Sequence, residues 1–212
     1  MLAILAFALA AAAAPPAAPA SPASSALQLH RLFSDDMVLQ AESPRVYGRG
    51  SPGCTVTVVA SDNVEPAGVR AAVDAQGAWT AVLKPRPASS LNATGPGLSI
   101  TVSMACGGVG APEEHSSSSG VEVVLRDVLF GDVWVCGGQS NMEFSVAEAF
   151  DRDTIIATAA IPGLRLYAVQ KNRSNAPLDE PRDIMYPEGW VKYVAVCAVV
   201  TATAGGGCVY RR

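Results

Sequence analysis

Ser140 stands in the string Gly137-Gly138-Gln139-Ser140-Asn141, directly after the apolar run at residues 128–136. A serine just past the carboxyl end of a strand lies where α/β sheets bind ligands. The two glycines allow a tight turn and close approach of a substrate. If a helix starts after the serine, its free N–H groups favour the negative charge that grows on an attacked carbonyl. The backbone N–H of Ser140 is then one donor to that oxyanion. The pattern is not the Gly-x-Ser-x-Gly elbow of α/β-hydrolases, because position 142 is Met. Serine is also a favoured helix N-cap, and on spacing alone that is the simpler reading.

A serine hydroxyl needs a base to become a good nucleophile. The 212 residues contain two histidines, His30 and His115, and neither follows Ser140. Both read as solvated loop residues. The five cysteines, Cys54, Cys106, Cys136, Cys197 and Cys208, lack the paired spacing of a zinc site. No metal or nucleotide motif is present, so no cofactor is expected. A net charge of −4 without a basic run excludes the electrostatic footprint of a nucleic-acid binder.

The elements that must position Ser140 fall into two kinds. Residues 27–125 read as short strands rich in β-branched and aromatic residues, separated by Gly and Pro clusters, which predicts a β-sandwich. In residues 55–59, Thr-Val-Thr-Val-Val, the alternation puts valine on one face. Asp74-Ala75-Gln76-Gly77 predicts a turn, with Trp79 beside it as a core residue. Residues 105–120, rich in Gly and Ser, read as a loop. After Arg126 the character changes. Residues 128–136 read as a strand buried on both faces. Residues 141–150 have helical character, with Met142, Val146 and Ala149 on one side. Residues 164–169 read as a second, parallel strand, as at the start of an α/β domain.

The first 14 residues are apolar and uncharged, too few for a membrane span of roughly 20. With Ala18-Pro19-Ala20 as a cleavage site, residues 1–20 read as a secretory signal peptide. That places the chain outside the cell or in a lumenal compartment such as the lysosome. Such a compartment permits disulfides, although an odd cysteine count leaves one thiol over. The sequons at Asn92 and Asn172 fit a glycoprotein.

The string GDVWVCGGQSNMEF (residues 131–144) resembles the first conserved block of SGNH hydrolases, in the form found in sialate O-acetylesterases and related carbohydrate acetylesterases. LFSDDMVLQ (residues 32–40) resembles the start of the β-rich domain that precedes it in that family. VEVVLRDVLFGDVWVCGGQSNM resembles the junction of the two, and YVAVC (residues 193–197) matches a later segment. The resemblance implies a β-sandwich followed by the start of a flavodoxin-like SGNH domain at residues 126–197. It implies that Ser140 attacks the acetyl carbonyl of an O-acetylated sugar, with sialic acid the family's best-known case. Gly138, Gln139, the Ser140 N–H and Asn141 would shape the oxyanion site. The family's base is a histidine held by an aspartate in a later DxxH block, with a Gly and an Asn from intervening blocks completing the oxyanion hole. None of those blocks occurs here, and residues 198–212 diverge from the family. The expectation is a chain that is truncated and inactive alone. The alternative is a secreted, non-catalytic glycan-binding or accessory module.

Overall fold

The computed structural model describes residues 26–90, 95–106, 121–138, 146–158 and 161–192, and the backbone of 207–209. The described part is mostly strand, with little helix. Strands β1 (Gln28–Leu29), β3 (Arg45–Arg49) and β6 (Ala78–Val82) form a three-stranded antiparallel sheet in that order. A second sheet has the order β2 (Val38–Gln40), β8 (Glu122–Gly131), β7 (Leu98–Ala105), β4 (Thr55–Ala60) and β5 (Val69–Ala72). It is mixed: β2 runs parallel to β8, and the other pairs are antiparallel.

The strands form where alternation lets each face find its own environment. In β4, Val56, Val58 and Ala60 are buried and Thr55, Thr57 and Val59 lie partly open, as the alternation predicts. Trp79 is buried in β6, also as expected. Both sheets send residues into one core, among them Val46, Val56, Val58, Ile100, Val102 and Val128. Each such side chain contributes on the order of 1.5–3 kcal/mol by leaving water. The turn before β6 is the predicted one. Asp74 Oδ1 accepts the N–H groups of Gln76 and Ala78, and Gly77 takes φ +80°, a conformation that glycine adopts freely.

A disulfide joins Cys54 just before β4 to Cys106 just after β7, with 4.3 Å between the Cα atoms. Cys136 is free. Arg86, buried in the same body, pairs with Asp62 at 2.9 Å and Glu65 at 2.8 Å, and its guanidinium stacks 5.3 Å from the Phe130 ring centre. The Asp62 carboxyl is held below its usual range chiefly by that guanidinium.

The second half departs from expectation in three ways. The apolar run at 128–136 is not one buried strand: β8 stops at Gly131, and Trp134 and Val135 are 55% and 88% exposed. The reason is pairing. β2 matches β8 only from Val38↔Leu129 to Gln40↔Gly131, after which the chain turns away towards Pro44. Among the described residues no strand lies beside 132–138, so its backbone has no ladder to join. Residues 146–148 form a single 3-10 turn, and helix α1 (Arg152–Ala157) buries none of its side chains. Strand β9 (Arg165–Val169) is antiparallel to both its neighbours, β10 (Val191–Lys192) and β11 (Gly207–Val209), where a parallel strand was expected. Residues 107–120, with His115, and Asn92 lie outside the described residues; Asn172 is exposed.

The β9 sheet is fastened to the first body. Tyr167 and Trp190 share the core formed by the first two sheets. Tyr167 Oη donates to the Arg31 carbonyl at 3.0 Å, and Trp190 Nε1 donates to the Leu32 carbonyl at 2.8 Å. Among the described residues no helix is long and apolar enough to cross a membrane.

Candidate active site

The segment leading to Ser140 is anchored at its start and open beyond. Ala41 N–H donates to the Gly131 carbonyl, and Val133 N–H donates to Gln40 Oε1, both at 2.9 Å. From Trp134 to Gly138 the chain is largely exposed. Cys136 is half-buried, and Gly137 and Gly138 are exposed. A Cβ added at Gly137 would meet no atom of the described residues within 4 Å. Packing among the described residues therefore does not demand glycine there. Gln139, Ser140 and Asn141 lie outside the described residues. The helix expected immediately after Ser140 also falls partly there, and the first described helical turn begins at Val146.

Upstream, the middle of β8 is held by a charged joint that sequence reasoning did not assign. Asp127 takes φ 55° and Asp36 takes φ 61°, left-handed conformations that aspartate tolerates better than most residues. Asp127 Oδ1 accepts the Gly97 N–H at 2.5 Å. Its Oδ2 lies 2.5 Å from Lys192 Nζ and 3.4 Å from Arg165 Nη2. Lys192 also reaches Asp36 at 3.3 Å. A Cβ at Gly97 would come within 2.7 Å of Asp127 and Val128 backbone atoms, so only glycine fits that approach. Burial, and the hydrogen bond to Asp127, push the Asp36 carboxyl up. Burial acts against ionisation of Asp127 too, but hydrogen bonds from Lys192 and Gly97 outweigh it and hold that carboxyl low. The two aspartates thus divide the work, Asp127 as the anion and Asp36 as the site that more readily keeps a proton.

The 32–40 motif now has a physical account. Asp35 Oδ1 accepts the Arg126 N–H at 2.7 Å, and Asp36 N–H donates to the Arg126 carbonyl at 2.9 Å. Ser34 Oγ accepts the Trp190 N–H at 2.9 Å. The Asp35 and Asp36 contacts to Arg126 stand just ahead of the pairing of β2 with β8 and hold its register.

His30, read from sequence as a solvated loop residue, is half-buried and engaged at both ring nitrogens. Nε2 lies 2.7 Å from the Asp179 carbonyl, and Nδ1 accepts the Leu32 N–H at 3.2 Å. That pairing sets the tautomer, with the proton on Nε2. Among the described residues, no group of three or more His, Cys, Asp or Glu could hold a metal ion.

No family model matches the chain. Among curated proteins, sialate O-acetylesterase of Mus musculus is 30% identical over 153 residues, which is 70% of this chain and 25% of that protein. Sialate O-acetylesterase of Homo sapiens is 30% identical over 188 residues, covering 77% of this chain and 31% of that protein. Among solved structures, a carbohydrate acetylesterase from Xanthomonas citri superposes with a TM-score of 0.60 at 27% identity, over 84% of this chain and 33% of that one. The chain spans about a quarter to a third of the length of the curated relatives it matches. Over most of its own residues, the chain resembles the sialate O-acetylesterase family.

Proposed function

We propose that this chain carries the nucleophile of a serine esterase that removes acetyl groups from O-acetylated sugars, sialic acid among them. Ser140 Oγ attacks the acetyl carbonyl, and the hydroxyl proton passes to a base. The Ser140 N–H, with Gly138, Gln139 and Asn141 around it, steadies the oxyanion. The C–O bond to the sugar then breaks, and the sugar oxygen takes up the proton. Water attacks the acetyl-serine and releases acetate, which restores the hydroxyl. In the same reading, residues 27–125 are a β-sandwich and residues 126–197 begin an SGNH fold. Residues 1–20 are a secretory leader to an extracellular or lumenal compartment, which the Cys54–Cys106 disulfide suits.

The observation that supports the reading best is the exposure of Gly137 and Gly138, shortly before Ser140, with no described atom crowding Gly137. It leaves room for a substrate beside the described end of that segment. The similarity to acetylesterases supplies the reaction class. The reading assigns the base to neither histidine of this sequence. Both nitrogens of His30 are occupied, and His115 lies outside the described residues.

In a comparable serine hydrolase, loss of the base costs on the order of a million-fold in kcat. That is about 8 kcal/mol of barrier. The 212-residue chain alone is therefore expected to release acetate on the order of a million-fold more slowly than a form that supplies the base. The test is acetate release from an O-acetylated sialic acid by this chain and by a longer form that contains a DxxH block. Ser140→Ala should abolish turnover in the longer form; undiminished turnover there removes Ser140 from the mechanism.

A further inference from the structure

A cavity of about 640 Å³ lies on the outer face of the three-stranded sheet, against residues 178–182. That volume is within the range of small-ligand sites. Its floor is set by cross-strand register. Tyr47 of β3 faces Thr80 of β6, and Arg49 faces Ala78. Within each pair a large side chain stands opposite a small one, and the hollow follows from that mismatch. These four residues point away from the core, because Val46, Trp79 and Ala81 take the inward positions.

The site is held in shape before any ligand arrives. The Tyr47 ring is braced edge-on by Phe33 at 4.8 Å and tilted against His30 at 5.0 Å. The opposite wall is fixed by main-chain contacts. Arg31 donates to the carbonyls of Pro181 and Arg182 at 3.1 and 2.7 Å, and His30 Nε2 contacts that of Asp179. The wall brings Glu180 and Arg182 to the same hollow as Arg49. Burial first, and the nearby Glu180 carboxylate second, push the Tyr47 phenol up, so it stays a neutral donor.

An aromatic ring beside acceptors and donors of both charges suits neither a simple anion nor a simple cation. It suits a ring with one apolar C–H face and hydroxyl groups around its edge. We propose that this cavity is a non-catalytic subsite for a pyranose unit of a glycan. The sugar lies over Tyr47, with its hydroxyls donating to Glu180 and accepting from Arg49 and Arg182. The subsite requires residues 178–182 as well as the β-rich part, and it does not involve Ser140.

The test is saturation-transfer NMR on the full 212-residue chain with lactose and with 3′-sialyllactose. Neither contains an ester, so hydrolysis cannot confuse the result. Transfer to pyranose ring protons is expected, and binding at least about tenfold weaker in Thr80→Tyr and in Tyr47→Ala, the loss of one good contact. Thr80 is exposed, so Thr80→Tyr fills the hollow without removing a core contact. Absence of transfer from both sugars overturns the subsite, as does transfer that survives Thr80→Tyr in a folded protein. Binding without acetate release in any form would sink the esterase and leave this cavity standing.

Discussion

Replacing Asp127 by Asn isolates one charge in the joint beneath the Ser140 segment. Asn still accepts from the Gly97 N–H and tolerates the φ of 55°, so backbone and hydrogen bond are kept. What disappears is the carboxylate beside Lys192 and Arg165. Lys192 is 52% exposed, so its pair is screened by water and worth no more than about 1 kcal/mol. Arg165 decides the magnitude. Its side chain is 4% exposed, Nε finds no partner among the described residues, and the remaining contacts are the carbonyls of Pro162 and Leu164. Stranding a buried cation in this way costs about 3–5 kcal/mol. Asp36 returns part of this, since its own ionisation no longer meets a second carboxylate, so the lower end is expected. For a chain of this size the melting temperature should fall by about 6–12 °C.

The pH dependence has a definite sign. Asp127 is depressed in the folded state, so its stabilisation is complete above the unfolded carboxylate value near 4 and drains away as pH falls through the folded one. Asp36 is raised and acts oppositely, favouring the fold while it keeps its proton. Urea unfolding followed by circular dichroism across a pH series should show wild type and Asp127→Asn far apart at neutral pH and converging in acid. A gap below about 0.5 kcal/mol at neutral pH would refute the buried-cation reasoning. So would a gap that stays constant into acid.

Reducing the Cys54–Cys106 bridge, which spans 52 residues, should destabilise the chain by up to about 4 kcal/mol if loop entropy dominates. Urea unfolding with and without reductant reads it directly, and identical midpoints would contradict that estimate. The three tryptophans separate by exposure: Trp79 is 3%, Trp190 6% and Trp134 55% exposed. Acrylamide should quench mainly Trp134, and Trp134→Phe should remove most of the quenchable emission. Equal quenching in that variant would mean that the segment before Ser140 is covered.

What could be read from sequence was local. Alternation in residues 55–59 and the Asp74–Gly77 turn depend on neighbours in the chain, and both gave the right faces. Trp79 was legible because a large aromatic beside a turn has few places to go but inward. The run at 128–136 misled because apolar composition signals burial only where a partner strand arrives, and β2 accompanies β8 for just three residues. His30 misled for the opposite reason. Its partner, Asp179, is 149 residues away, and no local pattern announces it. The 32–40 motif was visible as a family block, but its task of gripping Arg126 and Trp190 is purely tertiary. At the candidate site the two glycines stand exposed beyond the end of β8, and Ser140 lies outside the described residues, whereas the charged joint at Asp127 had no signal in the sequence. Its members come from four separate stretches of chain.

The grip of residues 30–34 on residues 179–190 has a consequence for synthesis. Its hydrogen bonds close loops of 149–158 residues. At about 5–20 residues per second, a ribosome needs roughly 8–30 s to make the second half of each pair. Through that interval Leu32 and Phe33, which end up packed against the core, have no wall to close over them. The earliest-made part of the folded body is thus among the last to be sealed. A nascent chain of this protein should offer its N-terminal apolar residues to chaperones until the Trp190 region emerges.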